Sequence, residues 1–173
     1  MSVHEHKRAT PSSITCKVIT ISDTRTKETD KSGQLMITFL EKEGFRVLEY
    51  DIVKDEEASI EKAIREGCAH EEIDVVLTNG GTGIAKRDVT IETVSKLLDK
   101  EIVGFGELFR MLSYTEDIGS AAILSRAIAG VCNDTAIFST PGSSGAVRLA
   151  MKKLILPELG HVVSEIKKDM KKV

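Results

Sequence analysis

The densest group of residues able to do chemistry lies between positions 78 and 90. Thr78-Asn-Gly-Gly-Thr-Gly83 is a glycine-rich turn that directly follows the apolar run Val75-Val-Leu77. Glycines let the backbone approach an anion closely, and successive N–H groups can surround phosphate oxygens. The same string reads equally as a tight turn that needs positive φ. Lys86-Arg-Asp-Val-Thr90 follows, placing two cations, a carboxylate and a hydroxyl within five residues. In that setting Arg87 can grip phosphate with its planar fork and Asp88 can hold a magnesium ion. Thr90 can contact a substrate or simply cap the next helix. Neither of two common nucleotide motifs is present. Lys86 is followed by Arg87 where a Walker A loop has Ser or Thr, and Gly104-Phe-Gly106 is followed by Phe109 where a dinucleotide fingerprint has its third glycine.

Such a turn acts on a ligand only if its neighbours in the fold converge on it. Apolar, β-branched runs predict strands over 16–22, 45–53 and 74–78. Leu35, Met36, Phe39 and Leu40, ending before Gly44, predict one helix, and Ile60, Ala63, Ile64, Gly67 and Cys68 a second that starts near Glu56. The alternation argues for an α/β fold, a three-layer sandwich with a mostly parallel central sheet. Sheets of this kind take ligands beyond the carboxyl ends of their strands, which puts Ser22, Asp23, Asp55 and the 79–83 turn on one rim. Asp55 can equally be the N-cap of the helix that follows it. Further along, helices are expected over 90–98 and 105–114, and a hairpin of 127–131 with 135–139 around Asn133-Asp134. A closing helix over 144–168 is expected to bend at Pro157.

The chain has 173 residues, enough for one domain over 14–173 after a polar, flexible arm over 1–13. A net charge of -3, 4% aromatic residues and no Trp argue against nucleic acid as a partner. Cys16, Cys68 and Cys132 form no C-x-x-C pair and read as buried free thiols in a reducing compartment, and no histidine has ligand spacing. The first residues carry charges without an apolar core, and no run approaches the ~20 apolar residues that span a bilayer, so the expectation is a cytoplasmic protein without membrane contact.

Four strings in order, T-N-G-G-T-G-I-A-K-R-D-V-T, G-F-G-E-L-F-R-M-L-S, S-R-A-I-A-G and P-G-S-S-G-A-V-R, resemble the MoaB/MogA family of molybdenum-cofactor biosynthesis proteins over roughly Lys17 to Leu156. The second and third are closest to the MoaB branch. The resemblance implies a molybdopterin-binding α/β domain. It also implies adenylyl transfer, in which the molybdopterin phosphate attacks the α-phosphate of Mg-ATP and pyrophosphate leaves. It carries Asp55 and Asp88 over as the acids acting on Mg²⁺ and nucleotide, and Gly80, Gly81, Thr82 and Gly83 as the phosphate loop. Ser22 and Asp23 match the end of the first strand. Glu107, Arg110 and Ser113 match a pterin-side helix, Ser125 and Arg126 the segment beside it, and Pro141, Gly142, Ser143 and Ser144 a second substrate-contacting turn. Two departures stand out: Asn79 replaces a common Thr, and Ser144-Gly145 replaces larger residues.

Read without the resemblance, Glu107 and Arg110 are an ordinary exposed pair three apart on a helix, and Ser143 or Ser144 an ordinary N-cap. Three functions follow in order: an adenylyltransferase, a non-catalytic molybdopterin carrier or scaffold, and an unrelated nucleotide-binding module. Asp88 favours the first. The resemblance also implies a homotrimer or homohexamer and, as partners, other molybdenum-cofactor biosynthesis proteins. Phe105, Leu108, Phe109 and Leu112 offer one apolar face that either joins subunits or packs on its own sheet.

Overall fold

All seven residues of the strand β1 (Thr15–Ile21) are buried, so both of its faces must be covered, and it is an interior strand, second from one edge of the sheet. The computed structural model describes residues 13–170. Residues 1–12 of the expected arm lie outside them. After β1 come α1 (Lys31–Lys42), β2 (Arg46–Val53), α2 (Glu57–Ala69), β3 (Val75–Asn79) and α3 (Thr90–Leu97). Then follow β4 (Lys100–Glu101), α4 (Val103–Glu116), a 3-10 segment (Gly119–Leu124), the hairpin β5 (Ile128–Cys132) and β6 (Thr135–Thr140), α5 (Ser144–Ala150) and α6 (Leu156–Lys167). Among the described residues no helix is long and apolar enough to cross a membrane.

The six strands lie in the order β2-β1-β3-β6-β5-β4. β1 pairs in parallel with β2 and β3, and β3 with β6, whereas β5 runs antiparallel to both β6 and β4. The expected mostly parallel three-layer sandwich is therefore present. One face packs Val18, Leu77 and Phe138 against Met36, Leu40, Phe109, Val147, Ile155 and Leu159. The other packs Ile19, Val76 and Ile137 against Ile60, Ile64, Val94 and Leu97. Phe109 is wholly buried, and truncating such a ring to Ala costs about 3–5 kcal/mol. All three cysteines are buried and free, and burial, reinforced by Asp74, pushes the Cys16 thiol up to about 12.

Several expectations need correcting. Phe105 and Phe109 belong to their own core, while Leu108 on the same helix is 47% exposed, so the single apolar face is split between core and surface. The bend expected at Pro157 is instead a wide π turn over Met151–Ile155, just before the proline. Pro157 has no N–H to offer the fourth carbonyl back, and the loosened turn takes up that gap. The hairpin turn needs no glycine: Asn133 and Asp134 both take positive φ, 49° and 61°, as a two-residue primed turn demands. The short edge strand β4 has no counterpart among the expected elements, because two exposed charged residues carry no strand signal.

Candidate functional site

β1 is flanked by β2 on one side and β3 on the other, so the chain direction of the crossovers reverses there. Beyond these strand ends lie Ser22 and Asp23, Asp55, and the glycine turn. β6 adds a fourth end, and the Gly80 amide donates to the Thr140 carbonyl at 3.0 Å, tying the glycine turn to the segment that opens at Pro141. Together these termini form one wall of a cleft of about 430 Å³. Its lining includes Gly80, Gly81, Thr82, Gly83, Asp88, Ser113, Ser125, Pro141, Gly142 and Ser143, all candidates from sequence.

The turn is glycine by necessity at two positions. Gly80 and Gly81 have φ of 101° and 65°. A Cβ on Gly80 would collide with the Ile21 carbonyl oxygen, and one on Gly81 with the Thr90 hydroxyl while standing 2.8 Å from Asp55 Oδ1. The tight-turn reading holds. The turn needs positive φ, and its amides remain available: among the described residues Gly81, Thr82 and Gly83 donate their N–H groups to no protein acceptor. Arg126 fixes the carbonyl side, donating from Nε to Thr82 O at 2.9 Å and from Nη2 to Gly83 O at 2.6 Å, and it pairs with Glu92. It supports the loop from behind and does not line the cleft.

Two carboxylates sit against the turn. Asp88 is half-buried, lines the cleft and accepts the Ala85 N–H at 3.0 Å through Oδ2. Asp55 does not cap α2: that place is held by Glu56, without any side-chain cap bond. Asp55 Oδ1 is instead buried and, among the described residues, has no hydrogen-bond partner. Burial first, and the charge of Asp88 second, raise the Asp55 carboxyl above its ordinary value, against a smaller opposing contribution from the Val89 amide.

Other candidates fall elsewhere. Arg87, the cation expected to grip phosphate, is exposed, pairs with Asp23 and does not line the cleft. Ser22 Oγ accepts the Thr24 and Arg25 amides at 3.2 Å each and shapes the turn after β1. Thr90 is fully buried and donates to Gly80 O at 2.9 Å; it neither caps α3 nor faces a substrate, but latches the glycine turn. Glu107 and Arg110 are exposed on α4 and do not line the cleft. Ser143 is the N-cap of α5, accepting the Ala146 N–H at 3.1 Å, while Ser144 opens that helix away from the lining.

Sequence reasoning missed Arg25, Asp117, Ile118, Ala121, Leu124 and Ala146, which complete the lining. It also missed the buried network beneath the rim. Asp30, the N-cap of α1, accepts from Thr20 Oγ1 and Tyr50 Oη at 2.5 Å each and from Gly33 N at 3.0 Å. Asn79, the departure from Thr, ties this network together, donating to Thr20 Oγ1 at 2.9 Å and accepting from Ser32 Oγ at 2.8 Å. Burial alone would raise the Asp30 carboxyl, but these bonds together with Arg25 hold it below its ordinary value. A larger depression, of about 740 Å³, lies between β4 and α6 around Ile102, Val131, Val162 and Ile166, and none of the sequence candidates lines it.

A family model described as "Probable molybdopterin binding domain" matches residues 17–161. Molybdenum cofactor biosynthesis protein B of Bacillus subtilis (strain 168) is 66% identical over 169 residues, covering 98% of this chain and 99% of that protein. A crystal structure of a molybdenum cofactor biosynthesis protein B superposes with a TM-score of 0.90 at 65% identity, covering 91% of this chain and 98% of the other. The molybdopterin biosynthesis enzyme MoaB of Thermus thermophilus superposes with a TM-score of 0.79 at 34% identity, covering 90% of this chain and 97% of the other.

Proposed function

The chain belongs to the MoaB/MogA family of molybdenum cofactor biosynthesis proteins, and from that premise we propose that it binds molybdopterin in the cleft and adenylates it with Mg-ATP, releasing pyrophosphate. The observation that carries the reading is the buried, unpartnered Asp55 Oδ1 beside Gly81, with Asp88 against the same loop and three amides lacking acceptors. An ionisable oxygen left in that state is destabilising by itself, and a cation bound against it relieves it. Two carboxylates suit magnesium, which is commonly held by one or two such groups plus water and substrate phosphates. Asp55 and Asp88 would hold the ion, and its charge would offset that of the phosphate oxygens.

The chain's own residues then position the reactants. The amides of Gly81, Thr82 and Gly83 hold phosphate oxygens, as fixed dipoles that need no reorganisation during the reaction. A phosphate oxygen of molybdopterin bonds to the α-phosphorus of ATP, the bond from that phosphorus to the bridging oxygen breaks, and pyrophosphate departs. Ser113 and Ser125 supply hydroxyls on the far wall for the pterin. Catalysis is mainly alignment and charge stabilisation. Chromatography after incubation with molybdopterin and Mg-ATP tests the reading by looking for adenylated molybdopterin. A protein that retains molybdopterin yet forms no product is a carrier.

We also propose a homotrimer or homohexamer, each subunit keeping its own cleft. Val103, Leu108, Met111 and Tyr114 of α4 are 55%, 47%, 52% and 62% exposed, an apolar face that the other described residues leave uncovered. Glu107 and Arg110 sit on the same exposed helix and would serve this interface rather than the pterin. The buried free thiols fit a cytoplasmic enzyme, and handing on an activated pterin calls for other molybdenum-cofactor biosynthesis proteins as partners.

A further inference from the structure

The geometry points to Arg25 as the residue that recognises substrate phosphate in this cleft, through a guanidinium edge that the fold leaves unused; the inference rests on the cleft being the molybdopterin and nucleotide site. Arg25 is the one cation among the described residues lining the cleft, where the acids Asp88 and Asp117 otherwise repel an anion. Arg87 is engaged with Asp23 outside, and Arg126 grips the back of the loop. Among the described side chains that line the cleft, a phosphate therefore meets positive charge only at Arg25.

The donor count supports the assignment. A guanidinium has five N–H groups. Nη1 donates to Asp30 Oδ1 at 3.2 Å and to Ser32 Oγ, and Nη2 donates to the Gly142 carbonyl at 2.8 Å. Nε–H and the second Nη2–H have no protein acceptor among the described residues. The side chain is 33% exposed, while its anchor Asp30 is wholly buried, so the group is held in place with donors left over. Such pre-organisation lowers the entropy lost when an anion binds, and paired guanidinium donors match phosphate geometry.

The position is also apt. A Cβ on Gly142 would stand 3.1 Å from Gly80 Cα and 3.9 Å from Arg25 Nη1, so the glycine turn and the guanidinium both border Gly142. A phosphate held by the free amides of that turn has Arg25 at its side. The negative charge of Asp30 does not cancel the effect fully, since Thr20, Tyr50 and the Gly33 amide also draw on it.

Calorimetry on the full chain and on Arg25→Gln separates recognition from mere support of the turn, using two ligand pairs: molybdopterin with dephospho-molybdopterin, and ATP with adenosine. The expected result is a ten- to hundredfold loss of affinity for the phosphorylated member of at least one pair, with its dephosphorylated partner unchanged. The affected pair identifies whose phosphate Arg25 holds. Arg25→Lys, which keeps the charge and loses the fork, should fall between. Equal losses within each pair, or no loss in either, overturn the inference while leaving the cleft reading intact. If the parent protein binds neither molybdopterin nor ATP, that reading fails instead. Binding of inorganic pyrophosphate then decides the role of Arg25: weakened in Arg25→Gln with Arg25→Lys intermediate supports it, and unchanged binding overturns it.

Discussion

Asp55 and Asp88 lie against the same glycine loop, and the charge of Asp88 adds to burial in raising the Asp55 carboxyl above its ordinary value. A carboxyl raised in the folded state holds its proton longer there than in the unfolded chain. Stability therefore falls as pH rises from the ordinary value of 3.8 through the raised one, and the folded protein carries that penalty at neutral pH. Asp55→Asn should accordingly raise the melting temperature of the ligand-free protein at pH 7 while abolishing transfer. The gain should shrink as pH is lowered towards 3.8. A variant less stable than its parent at pH 7 would remove the electrostatic account of this pair.

Asp88→Asn should keep molybdopterin and lose adenylyl transfer by about 10²–10³-fold, the scale of one well-placed electrostatic group. The amide retains an oxygen to accept the Ala85 N–H, so the loop should survive. Steady-state assays with saturating substrates check this, and near-native turnover would place Asp88 outside the mechanism.

Gly81→Val should lose molybdopterin binding and transfer together. Its φ of 65° is unfavourable for a β-branched residue, and its side chain would enter the space of the Thr90 hydroxyl and Asp55. The Thr90 latch on Gly80 goes with it. Unchanged pterin affinity in a folded variant would mean that the cradle lies elsewhere.

Asp30→Ala should destabilise the fold by about 3 kcal/mol in denaturant titration, since it strips the buried donor Thr20, the half-buried Tyr50 and the Arg25 guanidinium of their acceptor. Because the Asp30 carboxyl is held below its ordinary value, its contribution is complete above 3.8 and is lost only as pH falls through the depressed value. A cost that disappears already at pH 6 would contradict this.

Met111→Lys on the exposed face of α4 should lower the mass seen by light scattering towards that of one 18.9 kDa chain. A parent protein that is already monomeric at micromolar concentration, across salt, would end the oligomer proposal without touching the cleft.

The three parallel strands and the glycine turn are legible in the sequence because their signals are local: β-branched runs, then glycines at the strand end. The rim follows from strand alternation alone, which is why Asp55 and the glycine turn can be placed together before any coordinates; Asp88, 33 residues after Asp55, joins them through its place just beyond that turn and through the resemblance. Arg25 and Asp30 are not legible. Asp30 looks like a routine N-cap, and its role comes from Thr20 and Tyr50, which only strand pairing brings to it. Sequence favours Arg87 over Arg25 because it adjoins the glycines, yet the loop turns it outward to Asp23. Adjacency along the chain stands in for adjacency in space, and at this position the two differ. The exposed face of α4 misleads for a related reason, since helical spacing groups apolar residues without telling which stripe meets the sheet.

Transfer is read most simply as pyrophosphate released per molybdopterin consumed when the protein is mixed with Mg-ATP. The account predicts one pyrophosphate for each adenylated molybdopterin formed, none without molybdopterin, and a rate about 10²–10³-fold lower in Asp88→Asn. Full retention of molybdopterin with no pyrophosphate above the protein-free control would contradict it.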